Sequence, residues 1–124
     1  MPRREVALLI TVAAAIIVAL TAVVTAYARV PRTVHTANST AYCLTGLMAD
    51  GTHTRPGSAA SNRHPLGTRI RLERPGPDGR RLFVVRDRIG YGSELDLWTG
   101  SCGQARQYGR RDVRYRIGWR GAPR

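Results

Sequence analysis

An uncharged run rich in Ala, Val and Ile extends from Val6 to Ala28, directly after Pro2-Arg3-Arg4-Glu5. It reaches the roughly 20 apolar residues that a membrane-spanning helix needs. Arg3 and Arg4 precede it, which holds the N-terminus in the cytoplasm under the positive-inside tendency and sends the remainder across the membrane. Ala26-Tyr27-Ala28 also has the small-x-small shape of a signal-peptidase site. Residues 1–28 are therefore read as a transmembrane anchor or a cleaved signal peptide, and on either reading the functional domain is expected to be extracytoplasmic.

About 96 residues remain from Arg29 onward, enough for one small domain with a modest core. Such a domain gains from a covalent staple. Cys43 and Cys102 lie far apart in the exported part, so an intramolecular disulfide is expected. On the chain-entropy argument a loop of that length stabilises by about 4 kcal/mol. The alternative, a reactive thiol pair, lacks both Cys-x-x-Cys spacing and a flanking base.

The net charge of +12 comes from 20 arginines and no lysine. Complete absence of lysine matches the codon bias of a GC-rich genome better than selection for one ligand. Nucleic acid is accordingly not expected as a partner, and export argues further against it. A basic exported surface favours anionic cell-wall polymers or phospholipid headgroups, while any single arginine is more simply the solvated face of a strand.

Along the chain, residues 29–38 are polar, aperiodic and interrupted by Pro31, and read as a linker. A first strand is expected from Ser39, within Ser-Thr-Ala-Tyr-Cys. Gly46 to Gly57 reads as a long surface loop. Thr68 to Glu73 alternates, with Ile70 and Leu72 opposite Arg69, Arg71 and Glu73, the period of a half-buried strand. Pro75-Gly76-Pro77-Asp78-Gly79 is turn chemistry, and Arg81 to Arg86 supplies the return strand of a hairpin. Leu95 to Trp98 reads as another short strand and Ser101 to Gly109 as a helix opened by hydroxyl residues at Thr99 and Ser101. Asp112 to Ile117 alternates again. No internal repeat or second domain is visible. Residues 39–118 are expected to form an all-β domain with one short helix, a small closed β-barrel, and residues 119–124 a C-terminal tail containing Trp119.

The chemistry concentrates between Val84 and Trp98. Two aspartates, Asp87 and Asp96, flank a glycine-bearing loop there. Asp96 sits inside Leu-Asp-Leu-Trp, where apolar neighbours would keep its proton on longer, and Asp87 sits between Arg86 and Arg88, whose charge would favour the carboxylate. Two carboxyl groups of different character suit glycoside cleavage, which passes through an oxocarbenium-like state. The plainer alternative is that Asp87 caps the loop before Gly90 and Asp96 binds backbone amides within the barrel.

The ordered set Thr40-Ala41-Tyr42-Cys43, Pro65-Leu66-Gly67-Thr68-Arg69-Ile70, Val85-x-Asp87-x-x-Gly90, Glu94-Leu95-Asp96-Leu97 and Ala105-x-x-Tyr108-Gly109-Arg110-Arg111-x-Val113 resembles the three-aspartate (3D) domain, a family placed with the rare-lipoprotein-A-like and expansin-like double-psi β-barrels. The resemblance covers Ser39 to Ile117. It implies a six-stranded double-psi barrel with an open polysaccharide groove. It also implies a peptidoglycan lytic transglycosylase-like activity, or the non-catalytic wall loosening of expansin-like relatives. Asp96 matches the general acid and base, Asp87 a second groove carboxylate and Thr40 a groove threonine. The family's first acidic position falls on Ser61 or, with one gap, on Asn62, which can hydrogen-bond a sugar hydroxyl but cannot transfer a proton.

Tyr42, Tyr91 and Trp98 are candidates for stacking on sugar faces. His64, one position before the Pro-Leu-Gly-Thr turn, can reach the same groove or lie on the surface. His35 falls in the linker, and Tyr115 and Trp119 read as structural. The scattered histidines offer no zinc-ligand spacing, so neither metal nor cofactor is expected. The expected partner is peptidoglycan or another cell-wall polysaccharide, met by a monomer held at the membrane through its N-terminal helix. A weaker third reading makes the barrel a protein-binding platform in a cell-wall complex.

Overall fold

The computed structural model describes residues 3–28 and 33–118, with helix side chains as far as Ala22. The tail at 119–124, Trp119 included, and the linker residues 29–32 lie outside the described residues. Two compact units divide at Pro31 and Arg32.

The first unit is helix α1, Arg3–Ala28. Its segment Arg3–Ala22 is long and apolar enough to cross a membrane, and its side chains are exposed. The hydroxyl of Thr11 donates to the Ala7 carbonyl and that of Thr21 to the Val18 carbonyl. Both polar groups are thus satisfied within the helix, as an apolar surrounding requires.

The second unit is a closed six-stranded barrel of mixed pairing with one short helix. Its strands are β1 (Val34–Tyr42), β2 (Ser58–Ala60), β3 (Arg69–Leu72), β4 (Leu82–Asp87), β5 (Leu95–Trp98) and β6 (Arg111–Ile117), with α2 (Cys102–Tyr108) between the last two. Around the barrel the order is β1-β5-β2-β4-β3-β6, closed by β6 against β1. Pairing is parallel between β1 and β5 and between β2 and β4, and antiparallel elsewhere. Closure leaves no free sheet edge, which a domain this small would otherwise have to protect.

Alternation decides which residues fill the barrel. Ile70 and Leu72 of β3, Phe83 and Val85 of β4, and Leu95 and Leu97 of β5 are buried in one cluster with Ala37, Ala59, Tyr108 and Tyr115. The hairpin between β3 and β4 turns at Gly76, where an added Cβ would lie 2.9 Å from the Phe83 ring. Glycine there lets the turn close over a core aromatic. Ser101 caps α2 by accepting from the Gln104 N–H, and Gly109 ends it at φ 62°. Thr99, also expected at this helix start, bonds the Gln104 side chain instead.

A disulfide joins Cys43, just after β1, to Cys102, the first residue of α2. It fastens the helix to the barrel wall across a sequence separation of 59.

The structure departs from the sequence expectation in two places. β1 begins at Val34 rather than Ser39, so residues 34–38 are strand and not linker. Their partner is β6, with Val34 opposite Arg116 and Asn38 opposite Asp112. Tertiary pairing thus supplies the order that local periodicity did not show. β2 was not expected at all; it has only three small residues, Ser58-Ala59-Ala60, all buried.

Candidate functional site

Four residues lie in one register row across the outer wall of the barrel. Thr40 of β1 pairs with Asp96 of β5, Asp96 with Ala60 of β2, and Ala60 with Asp87 of β4. Directly opposed residues share a face, so both aspartates flank the methyl group of Ala60. With strands ~4.8 Å apart, their backbones are separated by roughly 10 Å, and the small side chain between them leaves that gap open.

Alternation puts Leu95 and Leu97 in the core and turns Asp96 outward. Asp87 reaches the same face by a different device. The register of β2 on β4 runs Ser58 to Val84, Ala59 to Val85 and then Ala60 to Asp87. Arg86 is the extra residue of a β-bulge, and it re-aims the residue that follows it.

Asp87 and Asp96 line one cavity of about 350 Å³, together with Tyr42, Ala60 and Tyr91. Leu44 and Leu47 also line it, and both are exposed, as is Tyr91 at 97 %. The groove therefore has an acidic floor and an apolar rim. Its walls are the segment after β1 and the loop between β4 and β5.

The two carboxyls are held differently. Asp96 Oδ1 accepts from Thr40 Oγ1 at 3.0 Å, and Thr40 Oγ1 lies 2.9 Å from Ser93 Oγ. Burial raises the Asp96 pKa and outweighs the Thr40 hydroxyl, the Leu97 N–H and the Arg110 charge, with Asp87 adding to the rise. Asp87 Oδ1 accepts from the N–H groups of Ala49 at 3.0 Å and Arg88 at 2.8 Å. The flanking guanidiniums bond elsewhere: Arg86 to the Gly57 carbonyl and Ser58 hydroxyl, Arg88 to the carbonyls of Ser61 and His64. Asp87 thus both faces the groove and ties its two walls to the barrel.

Near both carboxyls, the Tyr42 hydroxyl is buried with no hydrogen-bond partner among the described residues. Burial first, then the negative charges of Asp87 and Asp96, push its pKa well above the ordinary phenol value. A buried, neutral O–H donor without a partner beside two carboxyls is an arrangement that a polar ligand would complete.

The remaining expected site residues are placed otherwise. Thr40 lies behind Asp96 and positions it. Asn62 spends its amide on the Ile89 backbone, donating to the carbonyl at 2.6 Å and accepting from the N–H at 3.1 Å. Trp98 is buried and donates from Nε1 to the Leu44 carbonyl, steadying the groove wall. His64 packs away from the groove, with Nε2 2.7 Å from the Tyr115 hydroxyl. His35, in β1 rather than a linker, stacks on the Tyr115 ring. Burial, followed by the charges of His35 and Arg63, lowers the His64 pKa.

Sequence reasoning missed Ser93, Arg110 and the apolar rim. Neither carries a site role in the sequence: Ser93 reaches Asp96 through Thr40, and Arg110 is brought near Asp96 by closure of the barrel. Set against protein-family models and against curated proteins, the chain matches none of them.

Proposed function

We propose that this is an extracytoplasmic, cell-wall glycan-active protein, lytic transglycosylase-like, with a double-psi barrel of the three-aspartate kind. The observation that carries the reading is the shared cavity: a carboxyl with a raised pKa and a second carboxyl face one open groove on either side of Ala60. The two parallel pairs in an otherwise antiparallel closed sheet support the double-psi assignment. An apolar helix of membrane-crossing length and a disulfide support an extracytoplasmic location.

In this mechanism the protonated Asp96 gives its proton to the glycosidic oxygen as the bond to the anomeric carbon breaks. The Asp87 carboxylate stabilises the positive charge left on that carbon. Asp96, now ionised, takes the proton of the muramic acid hydroxyl that closes onto the same carbon, which restores the starting enzyme. Tyr42 donates to a sugar oxygen in the groove, while Tyr91, Leu44 and Leu47 receive apolar sugar faces.

A specific observation favours the second reading, a non-catalytic peptidoglycan-binding or wall-loosening module. The position of the family's first acidic residue is occupied by Ser61 or Asn62, and both side chains are bonded within the protein. Incubating the full chain, in nonionic detergent, with purified peptidoglycan separates the two. Release of anhydromuropeptides that disappears in Asp96→Asn supports the enzyme. Retention on sacculi without soluble product, unchanged in Asp96→Asn, supports the binder. Failure to bind sacculi at all overturns both.

A further inference from the structure

A second concavity, of about 600 Å³, lies between the end of α2, the start of β6 and the β3–β4 hairpin. It shares no lining residue with the acidic groove. Four of its lining residues are arginines, Arg74, Arg110, Arg111 and Arg114, against two carboxylates, Glu73 and Asp112.

The carboxylates neutralise this set only in part. Glu73 divides its two oxygens between Arg114 at 3.4 Å and Arg116 at 3.5 Å. Asp112 accepts from the Asn38 amide. Arg110 is fixed by neutral acceptors, the Gly92 carbonyl at 2.6 Å and Asn38 Oδ1. Arg111 lies over the Tyr108 ring at 4.1 Å and donates from Nε to the Tyr108 carbonyl at 3.0 Å. Arg74 has no hydrogen bond or ion pair among the described residues. Four guanidiniums thus meet two carboxylates, and the hollow keeps a net positive charge with Arg110 and Arg111 held in place beside Arg74.

Ordered guanidiniums in net excess match the planar two-point geometry of phosphate oxygens, and little side-chain freedom remains to be lost on binding. The concave setting concentrates their field. The volume exceeds what one phosphate needs and falls in the range for a ligand of several linked groups. A hollow of this kind receives a single extended chain rather than the plane of a bilayer. We propose that it binds phosphodiester groups of an anionic polyol-phosphate polymer. This binding needs no catalysis in the acidic groove, so it holds whether or not the glycan reading does.

The test titrates the full chain, in a nonionic polyoxyethylene detergent, with poly(glycerol phosphate) by calorimetry. Inorganic phosphate serves as competitor and phosphatidylglycerol vesicles as a separate arm. The double variant Arg74→Gln/Arg111→Gln is expected to bind the polymer at least about tenfold more weakly, the value of one charge-assisted contact. The charge-matched pair Arg55→Gln/Arg71→Gln, outside the hollow, is expected to bind as the parent does. Because Arg111 also anchors the end of α2, Arg74→Gln alone must reproduce part of the loss at an unchanged melting temperature. Equal weakening by both pairs would reduce the effect to net charge and overturn the proposal. So would polymer binding no tighter than that of inorganic phosphate, or binding to the vesicles alone.

Discussion

Thr40 donates its hydroxyl proton to Asp96, so the 2.9 Å contact with Ser93 must have Ser93 as its donor. The three side chains form a directed chain, Ser93 to Thr40 to Asp96, which ends on the carboxyl proposed to move a proton. Hydrogen bonds given to a carboxylate favour its charged form. Thr40 therefore restrains the upward pull of burial on Asp96.

Removing that restraint has a definite sign. In Thr40→Val, Asp96 keeps its proton to higher pH, and the falling alkaline limb of the pH–rate profile for glycan cleavage moves upward. Thr40→Ser restores the parental profile. A Val variant with an unmoved limb would remove Thr40 from the proton chemistry.

Asp96 also links function to stability. Its folded pKa is raised, so between the ordinary value of 3.8 and the raised value the folded state binds more protons than the unfolded one. Stability contributed by this group is full below 3.8 and is lost as pH rises through the folded pKa. Asp96→Asn, which still accepts from Thr40, escapes that loss. Its melting temperature is expected to exceed the parent's at pH 7, and the difference to vanish near pH 3.5 or below, where both states of the parent are protonated.

Asn62 is expected to act on the loop rather than on the sugar. Asn62→Ala removes both bonds to Ile89 and costs about 1–2 kcal/mol by denaturant unfolding. Amide exchange should quicken across residues 89–92. Weakened glycan binding with unchanged exchange would instead make Asn62 a direct ligand.

On the proposed function, the gap over Ala60 is the space a sugar enters. Ala60→Leu is expected to weaken sacculus binding by an order of magnitude or more, and overpacking at this buried position costs about 1–3 kcal/mol. Ala60→Ser, nearly the same size, should bind as the parent does in a pull-down assay.

The disulfide carries a measurable share of domain stability. Replacing Cys43 and Cys102 with serine is expected to cost about 2–5 kcal/mol, read by denaturant unfolding of the full chain in detergent. Trp98 emission should change as well, since its indole bonds the Leu44 carbonyl beside Cys43.

Much of the barrel was legible because its strands alternate. Ile70 and Leu72, the turn at Pro75–Gly79, and Leu95 and Leu97 signal half-buried strands from the sequence alone. The two cysteines signalled their bond through spacing and export. Val34–Asn38 was illegible because its order comes from pairing with β6, a strand distant in sequence. Ser58–Ala60 is too short to show a period. The contact of His35, His64 and Tyr115 joins segments distant in sequence and likewise has no local trace. The aspartate pair was visible as two residues, but that Ala60 separates them, and that Tyr42 lies near both, follows only from closure of the sheet.

The extra residue at Arg86 has a consequence for how such sites change over time. Asp87 faces the groove because one more residue is counted in β4 than in β2 between Val85 and Ala60. Deleting Arg86 would bring Asp87 to the position directly after Val85, where plain alternation turns it outward opposite Ala60 without a bulge. The second carboxyl can thus keep its place through a three-nucleotide deletion that removes Arg86. Among chains of this kind, the interval between the core valine and the aspartate can therefore differ by one residue while the groove keeps both carboxyls.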